Sequence, residues 1–200
     1  PLPTPLPPRH SMAMPLLEPR FWTASEVEAL PDDPAHRVEC VDGMLLVTPT
    51  PRLVHQSAVT VLAMTLEALL RPAGVGAVFV APSAWALDPS TLVQPDLYVV
   101  PLTEGRRPRT DDERGHPLLF VEVLSPSTAR HDRVVKRERY QRAGIEYWIV
   151  DLDSRVVERW LPGEDRPVIA SDQLIWHPQG AAAPLGFALG PFFRDVLGDP

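Results

Sequence analysis

The stretch LLFVEVL, from Leu118 to Leu124, sets one glutamate inside an otherwise unbroken apolar run. Successive side chains of a strand point to opposite faces, so a run that is apolar in both registers has to be covered on both sides. The pattern predicts a central strand in a sheet with helices packed on it, and therefore an α/β fold. Glu122 has Phe120 and Val121 before it and Val123 and Leu124 after it. Neither face offers it water. Burying an unpaired carboxylate costs on the order of several kcal/mol or forces it to take up a proton. A cationic partner or a metal ion has to compensate.

One candidate partner is close in sequence. Of 19 basic Lys and Arg residues only Lys136 is a lysine, and it follows Glu122 by 14 positions. An ammonium is a compact point charge with a movable pKa, whereas a guanidinium stays protonated. Random placement would put the lysine at this one basic position about one time in 19, so the surrounding carboxylates must carry the case. Asp132, Lys136 and Tyr140 recur at helical spacing and share a face. The apolar residues available to seat this helix are Val134, Val135 and Ala143, so its buried face includes part of the polar set. Asp96 closes VQPD ahead of the apolar LYVV, a second acid at the mouth of a buried strand. Two such acids on adjacent strands repel each other. A divalent cation relieves this, and so does an arginine from the helix paired with each acid; the residues alone leave both readings open.

Around these residues the elements follow in order. Thr23 and Glu26 form a capping-box pattern at the start of a short helix ending at Leu30. VECV-DG-MLLV, Val38 to Val47, reads as a hairpin turning on Asp42-Gly43. His55 to Leu70 carries Val59, Leu62, Leu66 and Leu70 at helical spacing. Strands are expected at 75–80, 83–87 and 97–100, then a polar loop over 103–117 and the strand 118–124. Ser127 or Thr128 caps a helix to Ala143, ended by Gly144. Tyr147–Val150 and Val156–Leu161 are strands, and a short strand near Val168 and a helix over Phe192–Leu197 close the chain. The core order is helix, three strands, helix, strand.

Composition narrows the rest. Residues 1–19 hold seven prolines and cannot keep a helix or a central strand, so a disordered or extended segment is expected there. Met12 and Met14 stand just upstream of the first globular-looking stretch, and residues 1–11 are set aside from fold reasoning. Residues 20–200 suit one domain. Cys40 is the only cysteine, which excludes an internal disulfide framework and a CxxC zinc pattern and fits a reducing compartment. The opening residues lack a signal-peptide core, and no apolar stretch reads as a membrane span, so a cytoplasmic protein without membrane contact is expected. A net charge of −7 argues against a broad basic coat for nucleic acid. A local groove stays open, because Arg130, Arg133, Lys136, Arg137, Arg139 and Arg142 face only Asp132 and Glu138. A solvated helix face accounts for the same run. Trp176, Phe187, Phe192 and Phe193 in the tail offer apolar material for a homodimer interface.

The strings VQPDLYVV and FVEVLSPSTARHDRVVKRERYQRAGIEYWIVD, with FWTASEVEALPDDPAHRVECVDGMLLVTPTPRLVHQ upstream, resemble the Uma-type family of restriction endonucleases within the PD-(D/E)XK nuclease superfamily. The similarity runs from about Phe21 to Trp160. It implies a restriction-endonuclease-like mixed sheet core flanked by helices, with an N-terminal hairpin. It also implies that Asp96 and Glu122 are the two metal-binding acids, with Glu39 as an additional acid. The superfamily's lysine two residues after the second acid is Leu124 here, and the family's lysine on the following helix maps to Lys136. The implied reaction is hydrolysis of DNA phosphodiester bonds with Mg²⁺ or Mn²⁺. The metal would polarise the phosphate and acidify a water, and Lys136 would orient that water or neutralise developing charge. His55, Tyr140, Arg133 and Arg137 are candidate substrate contacts. Two rival readings remain, a catalytically inactive nucleic-acid or protein-binding domain and a structural oligomer whose acids are paired by arginines. Convergence of Asp96, Glu122 and Lys136 on one point separates the first reading from these.

Overall fold

Asp42 (φ 53°) and Gly43 (φ 77°) both take the left-handed backbone expected of the Asp-Gly pair, joining β1 (His36–Val41) to β2 (Met44–Pro49) in a two-residue turn. The computed structural model describes residues 20–198 except Asp32 and Ser127. The expected proline-rich extension over 1–19, and Ser127 as a helix cap, lie outside the described residues. Ahead of the hairpin, α1 (Ala24–Glu28) starts with the anticipated capping box: the Glu26 amide donates to the Thr23 hydroxyl, and the Thr23 amide donates to the Glu26 carboxylate. Two short strands, β4 (Trp85–Asp88) and β5 (Thr91–Val93), join the hairpin in a four-stranded sheet of order β2-β1-β5-β4. The sequence reading anticipated β4 but not the three-residue β5.

The central sheet contains β3 (Gly76–Val80), β6 (Leu97–Pro101), β7 (Leu119–Val123), β8 (Tyr147–Asp151), β9 (Val156–Trp160) and β10 (Val168–Ala170), in the order β10-β9-β8-β7-β6-β3. All neighbours are antiparallel except β7 and β8, which run parallel. A parallel pair needs a crossover, supplied here by the helical segment that ends in α3 (Arg137–Arg142). With α2 (Leu53–Ala73) preceding β3, the core reads helix, three strands, helix, strand.

Strand alternation divides the core. Leu97, Val99, Leu119, Val121 and Val123 face α2 and α4 (Leu189–Leu197), sharing a cluster with Leu62, Leu66, Phe192 and Phe193. Tyr98, Val100, Phe120, Tyr147 and Ile149 face the other way, onto Val41, Trp85 and Tyr140. Glu122 shares that second parity. β7 is therefore buried on both faces, one beneath helices and the other beneath α3 and the hairpin sheet.

One expectation needs correction. By length and composition α2 is apolar enough to cross a membrane. Its stripe of Ala58, Val59, Leu62, Leu66 and Leu70 packs instead in the core against the sheet and α4. Of the tail aromatics, Trp176, Phe192 and Phe193 are buried within the chain and Phe187 is partly buried. Trp176 stacks edge-on against Trp148 at 5.4 Å, and Phe192 and Phe193 fill the cluster under α2. Trp176 belongs to β11 (Gln173–Trp176), which pairs with β12 (Leu185–Ala188), a hairpin not anticipated.

Candidate active site

Leu97 pairs with Val121 across β6 and β7, so Asp96, one residue back, lies beside Glu122, one residue on. In place of a regular ladder bond, the Val123 amide donates to Asp96 Oδ2 at 2.9 Å. From the hairpin, Arg37, Glu39 and Val41 share one side of β1, and Val41 packs in the cluster beneath the same sheet face. The helix supplies the fourth approach. His131–Lys136 forms a π-helical turn running into α3, and Asp132, Lys136 and Tyr140 are all buried. π-turns are rare and frequent at functional sites. Tyr140 is held by the rings of Phe120 (4.9 Å) and Tyr147 (4.8 Å), which anchors the face that carries the lysine.

These elements meet at Lys136. Its Nζ donates to Glu122 Oε1 at 2.9 Å and lies 2.8 Å from Glu39 Oε2 and 3.7 Å from Asp132 Oδ1. Tyr140 Oη donates to the same Glu122 oxygen at 3.3 Å. The Gln94 amide donates to Glu39 Oε1 at 2.7 Å. Arg37 Nη1 donates to Asp96 Oδ1 at 2.8 Å and to the Gln94 carbonyl at 3.0 Å, and lies 4.0 Å from Glu122 Oε2. His55 Nε2 is 3.1 Å from Asp96 Oδ2 but out of line, so neither ring nitrogen has a hydrogen bond. Asp132 Oδ1 is likewise buried without a hydrogen-bond partner.

Glu122, Glu39 and Lys136 thus come together from β7, β1 and the π-turn, with Asp96, just ahead of β6, beside Glu122. His55 joins them on Asp96. Tyr140 is adjacent and fully buried, with its hydroxyl on Glu122. Arg133 and Arg137 do not reach the acids. Arg133 is bound by Asp151 and Glu158, and Arg137 lies over the Trp160 ring and donates to Gln141. Arg139 pairs with Asp42 and Asp88, and Arg142 with Glu138. The local positive balance of this helix is thus largely neutralised within the chain. Arg37, Gln94 and Asp132 are participants that the sequence reading did not assign to the site. Period-two spacing was the available signal for Arg37, two residues before Glu39, whereas Gln94 takes part through its backbone N–H and carbonyl.

Four buried carboxylates, Glu39, Asp96, Glu122 and Asp132, face two cations, Lys136 and Arg37. The surplus negative charge shows in the titration of the group. Burial pushes the Glu122 carboxyl far above the ordinary range against the pull of Lys136, with Asp96 adding to the rise. Burial also raises Asp132. Asp96 goes the other way: burial opposes its ionisation, but His55, Arg37 and the Val123 amide together hold its carboxyl below the usual range. Burial works against the Lys136 ammonium, yet Glu122 and Glu39 hold it well above the ordinary lysine value.

A stability prediction follows from the raised acids. Unfolded, Glu122 ionises near 4.5, whereas the folded protein keeps its proton to higher pH. The native state then binds more protons than the unfolded one, so stability falls as pH rises above 4.5. Asp132 acts in the same sense above 3.8. Asp96 contributes stability above 3.8 that is lost as pH falls below it. The melting temperature of metal-free protein is expected to decline as pH rises above about 4.5, and Glu122→Gln to flatten that decline. An unchanged slope in the variant would remove Glu122 as its source.

The donor chemistry fits a hard divalent cation: carboxylate oxygens in negative surplus, with buried polar atoms still unpartnered. As they stand, the acids grip Lys136 and Arg37, and among the described residues no three His, Cys, Asp or Glu side chains converge on a metal position. Loading would therefore turn side chains within the cluster. Access is from a cleft of about 250 Å³ lined by Arg37, His55, Gln56, Thr60, Met64 and Asp96. A larger hollow of about 430 Å³, lined by Pro101, Leu118, Glu146, Trp176 and His177, is at the opposite ends of β6 and β7 and contains none of the four clustered acids.

Residues 24–188 match the model of the Uma2 family, described as "putative restriction endonuclease". The chain belongs to this family. Its fold is similar to the crystal structure of a "putative nuclease belonging to DUF820" from Anabaena variabilis, with a TM-score of 0.71 and 18% sequence identity, covering 88% of this chain and 99% of that one. At that identity the likeness establishes the restriction-endonuclease-like fold alone. Among curated proteins none matches this sequence.

Proposed function

We propose that this Uma2-family chain is an Mg²⁺- or Mn²⁺-dependent endonuclease that hydrolyses DNA phosphodiester bonds. The observation that carries the reading is the meeting of Glu122 and Glu39 with the only lysine of the chain, with Asp96 beside Glu122 across the neighbouring strand. Asp96 and Glu122 would hold the cation, with Glu39 as a further ligand. Bound there, it supplies Lewis-acid polarisation of the phosphate and a more acidic attacking water. Lys136, fixed by Glu39 and Glu122, presents a preorganised positive charge for the negative charge that develops on the phosphoryl oxygens. Its approach from the helix serves in place of the lysine absent at Leu124. Tyr140 holds Glu122 in register, and the Phe120 and Tyr147 rings keep water from that side. His55 borders the cleft on Asp96 and is the histidine positioned to meet substrate.

A second reading, a non-catalytic nucleic-acid or protein-binding domain, is favoured by the closed pairing of the acids with Lys136 and Arg37. Incubation of supercoiled plasmid with the protein separates the two. Nicking in Mg²⁺ or Mn²⁺, abolished by EDTA, is the expected result. No cleavage with either ion, together with DNA retention that EDTA leaves unchanged, would replace the nuclease with the binding domain.

A further inference from the structure

We propose that Arg37 is a displaceable counter-cation: its guanidinium takes the place between Asp96 and Glu122 that a divalent ion would occupy, and withdraws toward the cleft when the ion binds. The inference rests on the metal-site reading above and assigns a function within it to a residue outside the acid–lysine set. Arg37 Nη1 is 2.8 Å from Asp96 Oδ1 and 4.0 Å from Glu122 Oε2, so it bridges the two acids expected to hold the metal.

The other cation of the cluster is a poor candidate for displacement. Lys136 is 2% exposed and ringed by Glu39, Glu122 and Asp132, with the aromatic cluster behind it. The Arg37 side chain keeps 17% of its surface exposed and lines the cleft together with His55 and Asp96. It has somewhere to go. An arginine does not relieve crowding by losing its proton, so room for a second cation between these acids comes only from movement. The bond from Arg37 to the Gln94 carbonyl holds the guanidinium in its present seat, and it breaks on withdrawal. Asp132 Oδ1, buried without a hydrogen-bond partner, shows that Arg37 and Lys136 leave acceptor capacity in the cluster unused.

Mutual exclusion of Arg37 and metal is a negative coupling, so removing the side chain has to strengthen metal binding. The experiment titrates Mn²⁺ into metal-free wild type, Arg37→Gln and Arg133→Gln, followed by calorimetry or by the electron paramagnetic resonance of free Mn²⁺. Arg37→Gln is expected to bind about tenfold tighter than wild type. Arg133→Gln removes the same charge from the Asp151–Glu158 pairings and is expected to stay within about twofold of wild type, because distant charge is screened. Equal or weaker Mn²⁺ binding by Arg37→Gln, with wild type binding normally, overturns the proposal and leaves the metal site standing. Equal tightening in both variants also overturns it, since net charge then explains the gain. Absence of binding in wild type and Arg37→Gln alike overturns the metal-site reading, and the counter-cation with it. If Arg37→Gln is unfolded without metal, Mn²⁺ is expected to restore its circular dichroism, because the ion takes over the same charge. Failure to restore the fold overturns the proposal.

Discussion

Lys136→Met is expected to lower the stability of the metal-free protein by about 3–5 kcal/mol at neutral pH and to abolish cleavage. Methionine keeps much of the length and apolar stem of lysine, so packing against the aromatic cluster changes little. What disappears is the charge within 2.9 Å of both Glu39 and Glu122. Those carboxylates and Asp132 are each at most 3% exposed, and Arg37, bound to Asp96, is the remaining cation. Breaking a buried pair by removing one partner leaves an uncompensated buried charge, a severe kind of loss. The acids can escape by taking up protons, so the deficit should shrink as pH falls toward the ordinary carboxylate range. Denaturant melts at two pH values measure this. Lys136→Arg separates charge from position. It should recover part of the stability but not the activity, because loss of one preorganised electrostatic contact costs about 2–4 kcal/mol in the transition state. Wild-type cleavage by Lys136→Arg would dismiss the position of the ammonium from the mechanism, and wild-type stability of Lys136→Met would dismiss its structural role.

The lysine illustrates how much of this site a reader of the sequence could see. Burial of Glu122 followed from its apolar neighbours on both sides. Convergence with Asp96 followed from two acids on strands of one sheet, and the buried polar face of the helix from its shortage of apolar residues. Those inferences use local pattern, and local pattern survives folding. Arg37 was missed because its partner is 59 residues away, and nothing in β1 indicates which sheet it will cover. Arg133 and Arg137, expected as substrate contacts, have partners within the chain that the sequence does not announce. A helix displays its charge run in sequence, but the acids that neutralise Arg133, on β8 and β9, are supplied by tertiary contact. The π-turn was invisible as well, because i+4 spacing of Asp132, Lys136 and Tyr140 reads as ordinary α-helix. In the fold, β5 has three residues and β11–β12 close on each other, short elements with too few alternations to register. The tail aromatics read as material for a homodimer interface; Trp176, Phe192 and Phe193 are buried within their own chain, and Phe187 partly so.

Glu122→Gln is expected to leave the metal-free protein as stable as wild type, or about 1 kcal/mol more stable, while eliminating both cleavage and metal-induced stabilisation. The pairing around Glu122 makes this outcome specific. Lys136 retains Glu39 at 2.8 Å and Asp132 at 3.7 Å when Glu122 loses its charge, so no buried cation is stranded. The amide oxygen of glutamine can still accept from Lys136 Nζ or Tyr140 Oη. Repulsion by Asp96, Asp132 and Glu39, which together with burial makes ionised Glu122 costly, is removed. In wild type a saturating divalent ion should raise the melting temperature by linkage, about 2.7 kcal/mol at a hundredfold excess over the dissociation constant. In the variant that rise should vanish, since one of the two principal ligands is neutral. Melting curves of both proteins, with and without Mn²⁺, read the two effects independently. A loss of about 3–5 kcal/mol without metal, combined with no response of wild type to Mn²⁺ or Mg²⁺, would make Glu122 a structural partner of Lys136 and withdraw it from any metal site. Unchanged stability with a lost metal response is the signature of a carboxylate that the folded chain tolerates for the sake of the ion it binds.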